Sequence, residues 1–383
     1  MAVAITPTMQ VPPLVQTALE RAVDTGVFPG AVLAIRHGAG RLCCTSAGCL
    51  SVDPPGGPVR ASTMYDLASL TKPLATVSSI ALLLQDGRCD LNDRADLLLP
   101  DLQDAPVGAA TLRDLLSHSA GLPGWRGLYE RLSPKADLPH SREARFTAAQ
   151  QALRLIKNET LVYRLRERSL YSDLGFMLLG FIIERVGGSP LDQFVSERIT
   201  QPLQADPLRY LPIGKATGLQ EGLIIPTIAP TERDEWRSRL LCGEVHDQNA
   251  AAMGGIAGHA GLFGTAQSVL AVTGAWLSAY HRRGSIFDAD IVRELTGRQA
   301  QIGGSSWALG WDTPSPPSSS GQHFSSKSFG HLGYTGTSIW IDPVQELEVV
   351  LLSNRVHPTS KNEAIKSFRP AIHDLVYREF VKV

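Results

Sequence analysis

The strand-forming signals of this 383-residue chain lie at its two ends. Residues 31–37 read as a buried strand, apolar through residue 35, residues 38–40 supply a glycine turn, and residues 41–47 continue as a second strand. Comparable signals return only at 306–311, 337–341 and 347–352, which are rich in β-branched and aromatic residues and separated by turn residues. Both termini therefore contribute to one α/β layer, and the chain between them must build another. That middle reads as mostly helical. Apolar spacing predicts helices over 74–84, 175–186 and 191–199, and Thr111 and Thr265 stand as N-caps of two more. A helix over 14–26 precedes the first strand, and one over 370–380 closes the chain. Residues 202–234 and 313–322 read as irregular connections. The expected division is an α/β domain from 1–66 and 296–383 around a mainly helical domain at 67–295, with any chemistry at their junction.

At the head of the helical middle stands Ser69-Leu-Thr-Lys72. Residues i and i+3 share a helix face, so a hydroxyl and an amine can enter one pocket. An amine relieved of its proton by burial can activate a serine without a histidine. None of the other seven lysines has a serine three positions earlier. Two further elements have chemical potential. Tyr171-Ser-Asp173 leads into the 175–186 helix and offers a phenol as general base or acid. His331-Leu332-Gly333-Tyr334-Thr-Gly336 precedes a late strand, where glycines let backbone N–H groups approach an oxyanion.

Other chemistries find little support. A net charge of −1 offers no electrostatic case for nucleic acid or an anionic membrane surface. No apolar run reaches the ~18 residues that span a bilayer. Residues 1–13 lack the basic and apolar regions of a signal peptide. Five cysteines, an odd number, suit reduced thiols and a cytoplasmic location. No histidine pair or Cys-x₂-Cys has metal-ligand spacing, so neither a metal nor an organic cofactor is expected. His118 and His259 are read as structural, bonding loop backbone. There is no G-x-S-x-G elbow and no G-x-G-x-x-G. Oligomeric state is not legible.

In order and spacing, S-x-x-K, Y-x-[ND] and [KH]-x-G resemble the penicillin-recognising serine hydrolases, especially the class C β-lactamase, DD-peptidase and esterase branch. Residues 115–122, LLSHSAGL, look like that family's LLxHxSGL segment with Ala120 in place of serine, and the glycines of 254–266 look like its glycine-rich stretch. The resemblance implies the β-lactamase/transpeptidase-like fold, an antiparallel sheet flanked by helices with an inserted helical domain. It also implies Ser69 as nucleophile, Lys72 as its proton partner and Tyr171 as general base or acid. The backbone N–H groups of Ser69 and Tyr334 would form the oxyanion hole. His331, Leu332, Gly333, Asp173 and Trp125 would contact substrate, His331 with a charge that varies near neutral pH.

Two departures narrow the expectation. Asp173 replaces the family's usual asparagine and would hold Lys72 charged, shifting the base role toward Tyr171. Leu332 replaces the Thr or Ser whose hydroxyl helps bind a penicillin or D-Ala carboxylate, leaving Thr335 and Ser338 as possible substitutes. The expected activity is hydrolysis of a small ester or amide through an acyl-serine intermediate. A carboxypeptidase, D-aminopeptidase or weak β-lactamase, acyl transfer to another acceptor, and a non-catalytic ligand binder are the rivals.

Overall fold

The computed structural model describes residues 9–38, 40–214 and 227–381. Residues 1–8 of the N-terminal segment read for a leader, and residues 215–226 of the irregular 202–234 connection, lie outside them. Helix α1 (Pro13–Asp24) is followed by strands β1 (Gly30–His37) and β2 (Arg41–Gly48). The principal middle helices are α2 (Ser78–Gln85), α3 (Leu112–Leu116), α4 (Arg142–Lys157), α5 (Asp173–Gly187) and α6 (Ala266–Tyr280). Strands β3 (Phe329–Leu332), β4 (Ser338–Asp342) and β5 (Leu347–Ser353) and helix α7 (Ile365–Val381) complete the framework.

The five strands form one antiparallel sheet in the order β2-β1-β5-β4-β3. Its central pairing joins the two ends of the chain, from Ala31 opposite Ser353 to His37 opposite Leu347. Successive side chains of a strand face opposite ways. Here both faces of the central strands are covered, which is why β1 and β5 read as mostly apolar stretches. Leu33, Ile35, Val349 and Leu351 pack with Val15, Leu19, Ile372 and Val376 of α1 and α7. Val32, Ala34, Val350 and Leu352 share the other core with Val269, Leu270 and Trp276 of α6 and with the helical middle. No single helix among the described residues is long and apolar enough to cross a membrane.

Several elements differ from the sequence reading. Residues 306–311 form no strand; a single bridge pairs Trp307 with Asp312. Gly310 turns the chain at φ +82°, and a Cβ there would overlap Val77. β3 takes the edge position instead. Helix α7 begins five residues before Pro370 rather than at it. α3 ends at Leu116, short of Gly121-Leu-Pro123, which reads as its stop, and Thr111 and Asp114 form a reciprocal capping box at its start.

Candidate active site

Ser69 does not open a regular α-helix. Short strand Tyr65–Asp66 leads to Ala68, a non-glycine residue at φ +48°, and then to a 3₁₀ turn over Ala68–Leu70. A wide π-type turn, Lys72–Val77, intervenes before α2. The i,i+3 relation survives because a 3₁₀ turn repeats every three residues and stacks i over i+3. Asp66 fixes the bend: its carboxylate accepts the Ala68 N–H at 2.8 Å and the His246 N–H at 2.6 Å.

Lys72 is fully buried, and its three ammonium hydrogens have three acceptors. Nζ donates to Ser69 Oγ at 3.1 Å, to Asp173 Oδ1 at 2.6 Å and to the His259 carbonyl at 3.2 Å. Burial pushes the amine down, but Asp173 and Tyr171 more than offset it, and the net shift is upward. The amine depressed by burial is therefore not what forms; the pairing with Asp173 keeps the lysine charged. Asp173 reaches this point because Ser172 caps α5, accepting the Gly175 N–H at 3.3 Å, so the carboxylate sits in the helix's first turn.

The third acceptor depends on glycine. A Cβ on Gly258 would overlap the Phe176 carbonyl oxygen and lie 2.9 Å from Gly180 N. Only a bare backbone crosses α5 this closely, and the crossing delivers the His259 carbonyl to Lys72. The His259 ring binds a carboxylate, not loop backbone as expected: Nε2 lies 2.8 Å from Asp247 Oδ1. Burial alone would raise Asp247, but His259 and the Ala250 N–H hold it below the usual carboxylate range.

Tyr171 lies with its ring 4.7 Å below Lys72 Nζ. Burial raises its phenol above the ordinary value and Asp173 adds to this, while Lys72 and Ser69 favour the ionised form. The ring is enclosed by His118 at 4.7 Å, Trp307 at 5.3 Å and His331 at 5.9 Å between centroids. His118 is structural as expected, its Nδ1 accepting the Ser172 N–H at 3.1 Å. Burial, then Lys72 and His331, push it well below its usual range.

His331 corrects an expectation. Burial first, then Lys72, push it down to about 3, so it stays neutral across physiological pH. Its Nδ1 donates to the Leu332 carbonyl at 2.8 Å, leaving Nε2 as the bare nitrogen.

Past β3, Gly333 N–H donates to the Thr337 carbonyl at 2.7 Å and closes a turn. Thr335 Oγ1 donates to the Asp66 carbonyl at 2.8 Å, and Thr337 Oγ1 to that of Leu67 at 3.1 Å. These two hydroxyls stitch the turn to the segment carrying Ser69. Neither the Ser69 nor the Tyr334 N–H has a hydrogen-bond acceptor among the described residues. Thr335 is thus committed, and Ser338 does not line the cavity, so neither replaces the hydroxyl that Leu332 lacks.

One cavity of about 790 Å³ gathers Ser69, Tyr171, Asp173, His331, Leu332, Gly333, Tyr334 and Trp125, with Lys72 behind its wall. Trp125 and Tyr334, 49% and 54% exposed, stand at its mouth. Sequence reasoning missed Trp307, Asp247 and the His259 carbonyl as members. Trp307 was legible only as part of a supposed strand, and the other two carried no local signal. No cluster with metal-ligand composition occurs among the described residues.

The beta-lactamase family model matches residues 15–369. A protein of Salmonella gallinarum named as a D-alanyl-D-alanine carboxypeptidase is 33% identical over 333 residues, 80% of this chain and 73% of the relative. An N-acetylmuramyl-L-alanine amidase of Bacillus subtilis is 32% identical over 372 residues, 90% of this chain and 80% of that one. Among solved structures, EstCE1, a hydrolase with promiscuous acyltransferase activity, superposes with a TM-score of 0.72 at 21% identity, covering 95% of this chain and 97% of its own. Unliganded simvastatin synthase (LovD) of Aspergillus terreus gives a TM-score of 0.70 at 20% identity, covering 97% and 98%. These two speak for the fold, which is the one expected.

Proposed function

Because the chain belongs to the beta-lactamase family of serine hydrolases, we propose that it cleaves a small ester or amide through an acyl-Ser69 intermediate. The observation that carries this is the Lys72 ammonium donating to Ser69 Oγ while Asp173 and the His259 carbonyl hold its other hydrogens. That arrangement leaves the Ser69 proton free to leave toward Tyr171. In acylation Oγ attacks the carbonyl carbon, the Tyr171 phenolate takes the Ser69 proton, and the oxyanion meets the Ser69 and Tyr334 N–H groups. As the intermediate collapses, Tyr171 returns the proton to the leaving oxygen or nitrogen. Water repeats the sequence to release the acid. Lys72 supplies the positive charge that makes both phenolate and alkoxide accessible.

Because burial raises the Tyr171 phenol, its phenolate grows with pH. A fluorophosphonate probe is expected to add once, on the peptide bearing Ser69, and faster at about pH 9 than at about pH 6. Intact mass followed by peptide mapping reads the adduct. An unmodified Ser69 would sink this reading in favour of a ligand binder.

Leu332 on the cavity wall points to a neutral group beside the scissile carbonyl. Leu332→Thr is therefore expected to raise acylation by benzylpenicillin roughly ten- to a hundredfold, the worth of one hydrogen bond to a charged group. Ester hydrolysis should change far less, and unchanged penicillin acylation would remove Leu332 as the discriminating residue.

A second reading is an amide in a peptidoglycan-derived peptide. The carboxypeptidase and amidase names of relatives at 33% and 32% identity favour it. Inertness toward D-Ala-terminated peptides and N-acetylmuramyl-L-alanine amides would leave the ester reading alone. The five cysteines are all unpaired, which suits the reducing cytoplasm we propose as its location.

A further inference from the structure

Two arginines that line the cavity hold carbonyls of the Gly333–Thr337 turn, and neither makes a salt bridge to a carboxylate among the described residues. Arg369 projects from α7 and is buried. Its Nη2 donates to the Gly333 carbonyl and to the Thr337 carbonyl, both at 2.7 Å. Arg355 donates through Nε to the next carbonyl, that of Tyr334, at 2.8 Å, and lies 4.5 Å over the Tyr334 ring. Arg355 is itself anchored on the Ser360 and Asn362 carbonyls at 2.8 and 3.0 Å. A buried guanidinium held only by neutral carbonyls is a costly way to brace a turn. Burial and the nearby Arg355 charge both work against it.

The orientation of one peptide unit gives this arrangement a purpose. In a trans peptide the C=O and N–H point in opposite directions. The Gly333 carbonyl and the Tyr334 N–H belong to the same unit, so a hold on one aims the other. Within the turn the Gly333 carbonyl also accepts the Gly336 N–H at 3.2 Å, but glycine at 333 and again at 336, where φ is +113°, leaves that plane free to rotate without the guanidinium. Were the plane to flip, a carbonyl oxygen would enter the cavity where an oxyanion must sit.

We propose that Arg369 is a positioning residue for the oxyanion site: by holding the Gly333 carbonyl, it aims the Tyr334 N–H at the substrate. The charge adds to the effect, since a cation on the carbonyl polarises the amide and strengthens its N–H as a donor. This rests on the reading of Ser69 as nucleophile.

The test uses Arg369→Met and Arg369→Lys in the full chain. Arg369→Met is expected to slow single-turnover acylation by p-nitrophenyl acetate about 10- to 100-fold, a part of what loss of a whole donor costs. Binding of phenylboronic acid, which becomes tetrahedral on serine, should weaken by the same factor, while the ester's KM stays within about threefold. A residue that merely supports the fold would move the melting temperature without this parallel. Arg369→Lys keeps the charge but not the two-carbonyl fork, and is expected to retain activity between wild type and Arg369→Met. Should Arg369→Met not fold, an Arg369→Lys protein at least about fivefold slower in acylation supports the proposal. A folded variant with wild-type acylation and boronate affinity overturns it. If instead the wild-type protein is not acylated at Ser69, the underlying functional reading fails, and this proposal with it.

Discussion

Replacing Lys72 by methionine is expected to slow Ser69 acylation by about 10³-fold or more, comparable with losses seen when a nucleophile's proton-handling partner is removed. The side chain keeps its bulk, so the change is chiefly electrical. Three hydrogen bonds disappear together, and the Asp173 carboxylate, 17% exposed, loses the cation 2.6 Å away. Tyr171 loses the charge that favours its phenolate while keeping the burial that opposes it. Breaking a buried ion pair from one side typically costs about 3–5 kcal/mol. The melting temperature should therefore fall, and Lys72→Met/Asp173→Asn should recover much of it by removing the stranded charge. Acylation would not recover, because an amide cannot replace the ammonium at Ser69 Oγ. Thermal melts and single-turnover acylation of both proteins check this. If Lys72→Met retained wild-type acylation, Lys72 would have no part in the chemistry.

Gly333→Ala is the second large effect. A Cβ at this position would overlap Thr337 Oγ1 and lie 2.7 Å from the Leu67 carbonyl oxygen. The hydroxyl and the carbonyl are the two ends of the bond that ties the turn to the Ser69 segment. A methyl group must push them apart, and the carbonyl, being backbone, cannot rotate away. The Tyr334 N–H moves with the turn, so acylation is expected to fall about 10²–10³-fold, as when an oxyanion donor is lost. Folding stability should drop by about 1–3 kcal/mol, the usual range for overpacking. A crystal structure of the variant with a bound boronate, together with acylation rates, would check the displacement directly. Wild-type rates would show that the turn yields without carrying the donor along.

What could be read beforehand divides along the range of the interactions. Strands β1, β4 and β5 were visible because both faces are buried, giving each a mostly apolar stretch. Asp173 beside Lys72 was expected from the family resemblance, since no local rule joins residues 101 positions apart. Helix α4 is harder: its buried Ala148, Ala152, Leu153 and Ile156 keep helical spacing, but two alanines make a faint stripe. Residues 306–311 show propensity overruled, since Trp311 and Ala308 are buried by packing within a turn and not by a ladder. The pairings of Asp247 with His259 and of Arg369 with Gly333 join residues that no local pattern connects. The charge state of His331 went the same way: its desolvation depends on what surrounds it, and the surroundings come from separate stretches of chain.

The two threonine stitches have a consequence for how this molecule comes into being. Residues 66–69 and 333–337 are joined by Thr335 and Thr337, and the sheet behind them is closed by β1 against β5. These are among the most sequence-distant contacts the chain makes, and contacts of that kind are slow to form. A fragment ending before residue 329 would carry Ser69, Lys72 and Tyr171, yet lack the turn that faces them. On the proposed function, the nucleophile is therefore synthesised early and armed late. Ester turnover would then be a clock for chain closure, and an incompletely folded molecule a silent one.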